Sequence, residues 1–269
     1  GAAEQRVQID YITASAQTEP VAAFGDAADD PAIWIHPTDA SKSVILGTDK
    51  RSGLMVYNLA GDKRQSLLVG RVNNVDVRTH PGIDNATHSL VAASNRTNNS
   101  ISLFAIDAQS TVVHIGDIDT SMTEIYGLCM YASSTGAYVF ANDKSGLYQQ
   151  YRVQQTGDVA SGELVREFKL PSQPEGCSAD DKRGQLFLGE EDGGIWYVDA
   201  EPSQPANLIK LMSISEHLVD DVEGMEIYHD ADTQYLVVSS QGDHSYVVYE
   251  IEQQPQHPRQ GITKLQRKR

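Results

Sequence analysis

The chain has 269 residues, of which 40% are hydrophobic and 22% are charged, a composition typical of globular proteins and not of disordered ones. No stretch approaches the ~18 consecutive apolar residues that a membrane helix needs, and two cysteines are too few for a disulfide framework. The 37 acidic residues exceed the 21 basic ones, which gives a formal net charge of −16. This charge argues against nucleic-acid binding. It fits a secreted or periplasmic protein, or one that collects cations.

Short strands dominate the predicted elements. Gly1 to Gln5 resemble a processed mature end, and a strand is predicted from Val7 to Ile12. Further runs of β-branched or aromatic residues follow between turn residues, among them 44–46, 54–57, 138–140 and 246–249. Because no segment shows a long 3.6-residue apolar period, the sequence predicts an all-β fold.

A motif recurs along the chain at intervals of 44 to 51 residues. Its first column consists of Pro31, Val75, Tyr126, Glu175 and Glu223. A second column, at the turn after an apolar strand, has a spacing of 46 to 49 residues and consists of Lys50, Arg96, Lys144, Asp192 and Gln241. Two columns with one period predict β-propeller blades of about four strands each, and five blades are visible. The strand that begins at Val7 has no repeat partner and is expected to be the outer strand that closes the ring.

Equivalent residues of successive blades surround the central axis of a propeller, so each column gathers its side chains at one face. The first column gathers Asp29, Asp30, Asp76, Glu175, Asp221 and Glu223. The second gathers a basic sector and then an acidic or amide sector, namely Lys50, Arg96 and Lys144, then Glu190, Glu191, Asp192 and Gln241. Crowded carboxylates suit calcium, no His or Cys spacing suits zinc, and Lys and Arg suit phosphate. The sequence therefore predicts a site for a substrate with several phosphates beside a calcium cluster.

Each of these residues alone has an ordinary structural explanation, since Asp-Asp, Glu-Gly and Asp-Lys pairs are common in turns. The functional interpretation depends on basic residues that recur at one position in three consecutive blades. His36 and His80 are expected to be turn residues, and Trp34 a core residue. Cys129 and Cys177 are expected to be small buried packing residues, not a disulfide or a nucleophile.

Two long motifs, Gly25 to Trp34 and Asn73 to Arg78, resemble the signatures of the β-propeller phytases, the calcium-dependent alkaline phytases. The resemblance runs from about Glu19 to Tyr249, with shorter matches in the same order at 93–96, 175–181, 190–196, 221–224 and 239–246. It implies a six-bladed propeller that hydrolyses phosphomonoesters of calcium-bound phytate.

The resemblance also implies roles for particular residues. Substrate phosphates would be held by Lys50, Arg96, Tyr126 and Lys144, and Glu175 is placed with them among the catalytic residues. Several calcium ions (Ca2+) would be ligated by Asp29, Asp30, Glu175, Glu191, Asp221 and Glu223. Tighter, structural calcium sites would use Glu19, Asn73 and the carbonyls of Pro31 and Val75.

The mechanism implied by these ions is metal-activated hydrolysis. Calcium would lower the pKa of a bridging water that attacks phosphorus in line, while Lys and Arg stabilise the charge on the equatorial oxygens. The leading prediction is a calcium-dependent phosphatase for phytate or lower inositol phosphates. The alternative is a phosphate- or calcium-binding module that assists a complete phytase domain. A propeller lactonase with one calcium ion is a weaker option, because it gives the three basic residues no role.

Two features depart from the family pattern. Ser145 follows Lys144 where the family often carries an acid, and less than one blade remains after Glu252. The expected organisation is an N-terminal segment at 1–24 with the ring-closing strand, an incomplete propeller at 25–252, and a tail at 253–269 with a solvated basic end. A tandem phytase domain is an expected partner, whereas nucleic acid and membranes are not.

Overall fold

The computed structural model describes residues 7–13, 31–191, 194–212, 222–230, 233–240, 245–252 and 259–268. Within this part of the chain the strands form five sheets. The same residues contain no helix that is long and apolar enough to cross a bilayer. The all-β prediction is therefore confirmed.

Four of the sheets are antiparallel, and each consists of four strands that follow one another in the chain. After β1 (Val7–Thr13), the first sheet holds β2 (Ala32–Trp34), β3 (Val44–Asp49), β4 (Gly53–Asn58) and β5 (Lys63–Leu67). The second holds β6 (Val72–Thr79), β7 (Ser89–Asn95), β8 (Ser100–Ile106) and β9 (Val112–Asp119). The third holds β10 (Ile125–Ser133), β11 (Gly136–Asp143), β12 (Leu147–Thr156) and β13 (Val159–Lys169). The fourth holds β14 (Pro174–Asp180), β15 (Gln185–Glu190), β16 (Gly194–Asp199) and β17 (Ile209–Met212).

The fifth sheet joins the two ends of the chain. It holds β18 (Val222–Asp230), β19 (Thr233–Ser240), β20 (Ser245–Glu252) and β21 (Arg259–Lys268), and β1 pairs in parallel with β21 as its outermost strand. The N-terminal strand is thus an outer strand, but the expected tail at 253–269 contains β21 instead. Pairing with both β20 and β1 gives the backbone N–H and C=O groups of this polar segment their partners, which explains why it is a strand.

The chain divides into two compact units. Residues 17–169 form one unit, which holds the first three sheets, and residues 1–16 and 170–269 form the other, which holds the fourth and fifth sheets. In the second unit, the core contains Phe187 and Ile195 from the fourth sheet and Met225, Leu236 and Val238 from the fifth.

Strand β7 shows how the three sheets of residues 17–169 pack. All of its residues are buried, and successive side chains of a strand point to opposite faces. Leu90 and Ala92 therefore join the core that is shared with the third sheet, whereas Val91 and Ala93 join the core that is shared with the first. A short continuous apolar run in the sequence is typical of a strand that is buried on both faces.

The structure tests the expectations for several individual residues. Trp34 is buried and donates from Nε1 to Ser89 Oγ at 2.7 Å, so it is a core residue as predicted. His36 accepts the N–H of Asp39 at Nδ1 over 3.0 Å, which confirms its role in a turn. Both cysteines, Cys129 and Cys177, are disulfide-bonded, so the expectation of simple packing residues is wrong. A disulfide depends on the approach of two Cβ atoms in space, which sequence spacing does not report.

Candidate active site

The first strands of four sheets share a bulge close to their starts. The ladder skips one residue in β10, β14 and β18, namely Tyr126, Glu175 and Glu223, and it skips the pair Asn73–Asn74 in β6. Bulges turn side chains away from the regular alternation and are frequent beside active sites. Three members of the first sequence column therefore occupy equivalent backbone positions.

The pairing of β6 with β7 shows that the first column is wrong at its second member, Val75. Val75 pairs with Ala93 in the second sheet, as Leu128 pairs with Ala141 in the third. The residue at the position of Tyr126 is thus Asn73, not Val75. The bulges of β6 and β10 each add one residue and do not cause the offset. It arises because residues 80–88 connect β6 to β7, whereas only 134–135 connect β10 to β11, so the spacing of the repeat changes here.

The second column lies at the turn that follows the second strand in the first four sheets, while Asp192 and Gln241 themselves lie outside the described residues. Lys50, Arg96 and Lys144 come directly after the last residues of β3, β7 and β11. In the fourth sheet this position belongs to Glu191 and not to Asp192, because β15 ends at Glu190. The backbone hydrogen bonds agree, since the N–H of Arg96 donates to Arg71 O at 2.7 Å and that of Glu191 donates to Gln173 O at 2.9 Å.

The residue before each basic side chain shapes the turn that carries it. Asp49 Oδ1 accepts the N–H of Arg51 at 2.9 Å, and Asp49 Oδ2 accepts the hydroxyl of Ser52. These two bonds hold the pKa of Asp49 below its ordinary value. Asn95 Oδ1 accepts the N–H of Thr97 at 3.1 Å. Asp143 Oδ1 accepts both the N–H and the hydroxyl of Ser145, at 2.9 and 2.6 Å. Ser145, which departs from the family pattern, is therefore part of the turn.

Lys144 and Tyr126, two residues for which the family resemblance implies phosphate binding, lie close together in the third sheet. Lys144 Nζ lies 5.6 Å from the centroid of the Tyr126 ring, a cation–π arrangement. The same Nζ lies 4.0 Å from Glu124 Oε2. Both groups of this ion pair are exposed enough to exchange with solvent, so the carboxylate occupies a place that a phosphate could take.

The carbonyl of Tyr126 is fixed by two donors from the second sheet. Asn73 Nδ2 donates to it at 2.8 Å, and Ser94 Oγ donates to it at 3.2 Å. Ser94 and Glu124 were not predicted from the sequence. Ser94 lies beside Asn95 and Arg96 in the family match at 93–96, and Glu124 carries no signal in the sequence.

A comparison with protein families decides which family this architecture belongs to. A family model described as Phytase matches residues 2–260. The chain belongs to the phytase family. A 3-phytase from Bacillus subtilis (strain 168) is 41% identical over 251 residues, which cover 89% of this chain and 66% of that protein. The chain thus spans just under two thirds of the length of this relative.

Solved structures agree with this chain in fold alone. The WD40 domain of SCAP from fission yeast superposes with a TM-score of 0.51 at 13% identity, covering 86% of this chain and 61% of that one. BBS1N, solved in complex with ARL6DN, gives 0.52 at 12% identity, covering 79% and 64%. WD40 domains are β-propellers with four-stranded blades, so the predicted propeller class is confirmed.

Arg96 and Lys50 differ from Asp76 in the contacts that their side chains make. It is partly buried, and no hydrogen bond or ion pair engages its guanidinium within the described part of the chain. Lys50 is exposed at the equivalent turn of the first sheet. Asp76 differs, because its carboxylate pairs with Arg78 at 3.1 Å and accepts the N–H of Met130 at 2.9 Å. Asp76 therefore links β6 to β10.

The calcium ligands implied by the family are described only in part. Glu19, Asp29, Asp30 and Asp221 lie outside the described residues, and so does the side chain of Glu223 in β18. Glu175 and Glu191 are partly buried in the fourth sheet, while Pro31 precedes β2 and Val75 lies in β6. Among the described residues, no three His, Cys, Asp or Glu side chains gather as a metal site.

Asn73 has the geometry of an oxygen ligand. Its Nδ2 donates to Asn74 Oδ1 and to the Tyr126 carbonyl, at 2.9 and 2.8 Å. In the described part of the chain its Oδ1 accepts no hydrogen bond. A side-chain oxygen that is held in place and left open is a hard donor of the type that calcium prefers. Asn73 therefore offers one oxygen of the kind that calcium ligation requires.

The Glu124–Lys144 ion pair leads to a testable prediction. Substitution E124Q removes the carboxylate that competes with phosphate for Lys144, so we expect KM for phytate to fall about two- to threefold, the scale of an exposed ion pair. E163Q is a matched control, because Glu163 Oε2 lies 3.9 Å from Arg152 Nη1 and is equally exposed. Equal effects of the two substitutions on KM, or no effect of E124Q, would contradict this competition.

Proposed function

We propose that this member of the phytase family is a calcium-dependent phosphomonoester hydrolase that acts on phytate or on lower inositol phosphates. The observation that carries the proposal is the recurrence of Lys50, Arg96 and Lys144 at one turn position of three consecutive sheets. Cations at equivalent places on neighbouring sheets can engage several phosphates of one substrate. The 3-phytase relative supports the same reaction class.

Different residues are proposed to bind the substrate phosphates and to stabilise the charge that develops on them. Arg96 offers a planar fork that suits two oxygens of one phosphate, whereas Lys50 and Lys144 are mobile point charges. Tyr126 offers a hydroxyl beside Lys144 that can donate to a phosphate oxygen. During hydrolysis negative charge accumulates on the equatorial oxygens of the phosphoryl group, so donors fixed around them lower the barrier.

Calcium is part of the proposal. When bound, it would neutralise phosphate oxygens and lower the pKa of a water molecule, as metal ions do in other hydrolases. The residues proposed to hold it are Glu19, Asp29, Asp30, Asn73, Glu175, Glu191, Asp221 and Glu223, with the carbonyls of Pro31 and Val75. The open Oδ1 of Asn73 supports this ligand set.

A secreted or periplasmic location is proposed as well. Disulfide-bonded cysteines persist in oxidising compartments, and Cys129 and Cys177 are both in this form. The net charge of −16 suits such an environment. A tandem phytase domain is proposed as a partner, and its addition should raise the rate on phytate.

The direct test is phosphate release from calcium phytate, measured with calcium and after chelation. We expect release that requires calcium, and a kcat/KM for phytate or inositol tetrakisphosphate about 100-fold above that for p-nitrophenyl phosphate. The reason is that a substrate with one phosphate can use only part of the binding energy of the three basic residues.

Calorimetric titration in the same buffers separates the alternatives. Binding of phytate without phosphate release would favour the accessory binding module over the enzyme. Release that is unchanged by chelation would remove calcium from the proposal, and a failure both to bind and to release would remove phytate itself.

A further inference from the structure

Ser94 lies at the junction of two bulges. It is a residue of β7, its side chain is fully buried, and it stands opposite the unpaired residues Asn73 and Asn74. Asn74 has lost its regular ladder partner, and its N–H donates instead to Ser94 Oγ at 2.9 Å. The serine hydroxyl thus replaces the backbone acceptor that the bulge removes.

The same hydroxyl reaches into the next sheet. Because Ser94 Oγ already accepts from Asn74, its single proton is free to point at the Tyr126 carbonyl, 3.2 Å away. Asn73 Nδ2 donates to that carbonyl as well, at 2.8 Å. A carbonyl oxygen has two lone pairs, so these two donors hold it from two directions.

The donors to its carbonyl matter for the position of Tyr126, because this residue forms a bulge in β10. The ladder passes from Ile125, opposite Asp143, to Gly127, opposite Asn142, and it leaves Tyr126 out. Regular strand pairing therefore does not fix this residue, and the two donors to its carbonyl hold the peptide group that carries its side chain. The phenol ring of that side chain lies under Lys144.

We infer that Ser94 is a positioning residue for Tyr126 in the substrate site. This inference rests on the proposed function, in which Tyr126 and Lys144 hold a substrate phosphate. Ser94 is buried and does not touch substrate, so it acts through the Tyr126 carbonyl. A small displacement of a binding group costs far more in catalysis than in stability, because the reaction requires close alignment.

The experiment compares S94A with a matched control in the same sheet. Ser100 Oγ is also buried, and within the described residues it has no hydrogen-bond partner. S100A should therefore leave kcat/KM within twofold of the parent chain. S94A should lower kcat/KM for calcium phytate about tenfold, the equivalent of one hydrogen bond to a fixed group, and S94C, which is similar in size but a weaker donor, should lie between them.

A double-mutant cycle shows whether Ser94 acts through Tyr126. In the Y126A background the added S94A substitution should change kcat/KM less than twofold, because the ring that it positions is gone. The melting temperature should fall by the same few degrees in both backgrounds. Binding of inorganic phosphate in the presence of calcium provides a readout that does not require turnover, and it should weaken in S94A but not in S100A.

Each outcome has one meaning. Equal losses of kcat/KM from S94A in both backgrounds would show a general structural role and overturn the inference. Full activity of S94A beside an impaired Y126A would overturn it while leaving the proposed function intact. Full activity of Y126A would instead remove Tyr126 from the proposed site. If S94A does not fold, S94C in the two backgrounds gives the same cycle.

Discussion

Replacing Arg96 by alanine is expected to lower kcat/KM for phytate at least ~100-fold, the scale for loss of one donor that stabilises a developing charge. The side chain is partly buried, and its guanidinium has no hydrogen bond or ion pair within the described part of the chain, so its removal breaks no polar contact there. The melting temperature should therefore change by no more than a degree or two. The measurement is a pair of rate and melting curves at fixed calcium.

Two further variants sharpen this result. R96K keeps the positive charge but loses the fork, and it should recover only part of the activity. R64A removes an equally basic residue from strand β5, where Arg64 is exposed, and it should leave kcat/KM unchanged. If R96A retains parental activity, or if R64A is equally impaired, Arg96 does not contact the substrate.

Removal of calcium is the second large expected effect, and its readout is stability. A ligand that binds only the folded chain stabilises it by about 2.7 kcal/mol when its concentration is 100 times Kd. In a chain of this size 1 kcal/mol corresponds to about 2–4 °C, so a calcium chelator should lower the melting temperature by about 5–10 °C for each such site. Added calcium should restore the original curve.

Magnesium and a ligand variant provide the controls for this experiment. Mg²⁺ requires near-octahedral geometry and dehydrates reluctantly, so at the same concentration it should restore little of the lost stability. D30N weakens one proposed ligand and should reduce the shift caused by chelation, while E163Q should leave it intact. A melting curve that does not respond to the chelator would refute the structural calcium sites.

The sequence predicted the structure best where the hydrophobic pattern of a segment follows directly from its burial in the fold. Apolar runs such as 90–93 predicted strands, because a strand whose sheet lies between two other sheets must carry apolar side chains on both faces. The basic column was predicted at Lys50, Arg96 and Lys144 because no insertion falls between the strand and the turn in these three repeats. These positions follow from counting residues alone.

The errors occurred where counting fails. The long connection at residues 80–88 changed the repeat spacing, so the first column was misplaced by two residues at Val75. The position predicted for Asp192 belongs to Glu191 because β15 ends one residue earlier than the repeat suggested. Strand β21 was missed because its polar sequence shows no alternation, and its pairing with β1 joins opposite ends of the chain. Bonds between distant segments, such as that from Ser94 to Tyr126, have no local signal.

The turns that carry the basic residues are shaped by Asp49, Asn95 and Asp143, which each precede the functional side chain. The backbone there does not depend on the identity of the following residue, so that residue can vary while the loop stays the same. The repeats already show this freedom, since the position after the shaping residue holds lysine at Lys50 and Lys144 and arginine at Arg96. These turns are therefore exchangeable single positions, on which duplication and point mutation can generate new ligand preferences without rebuilding the scaffold.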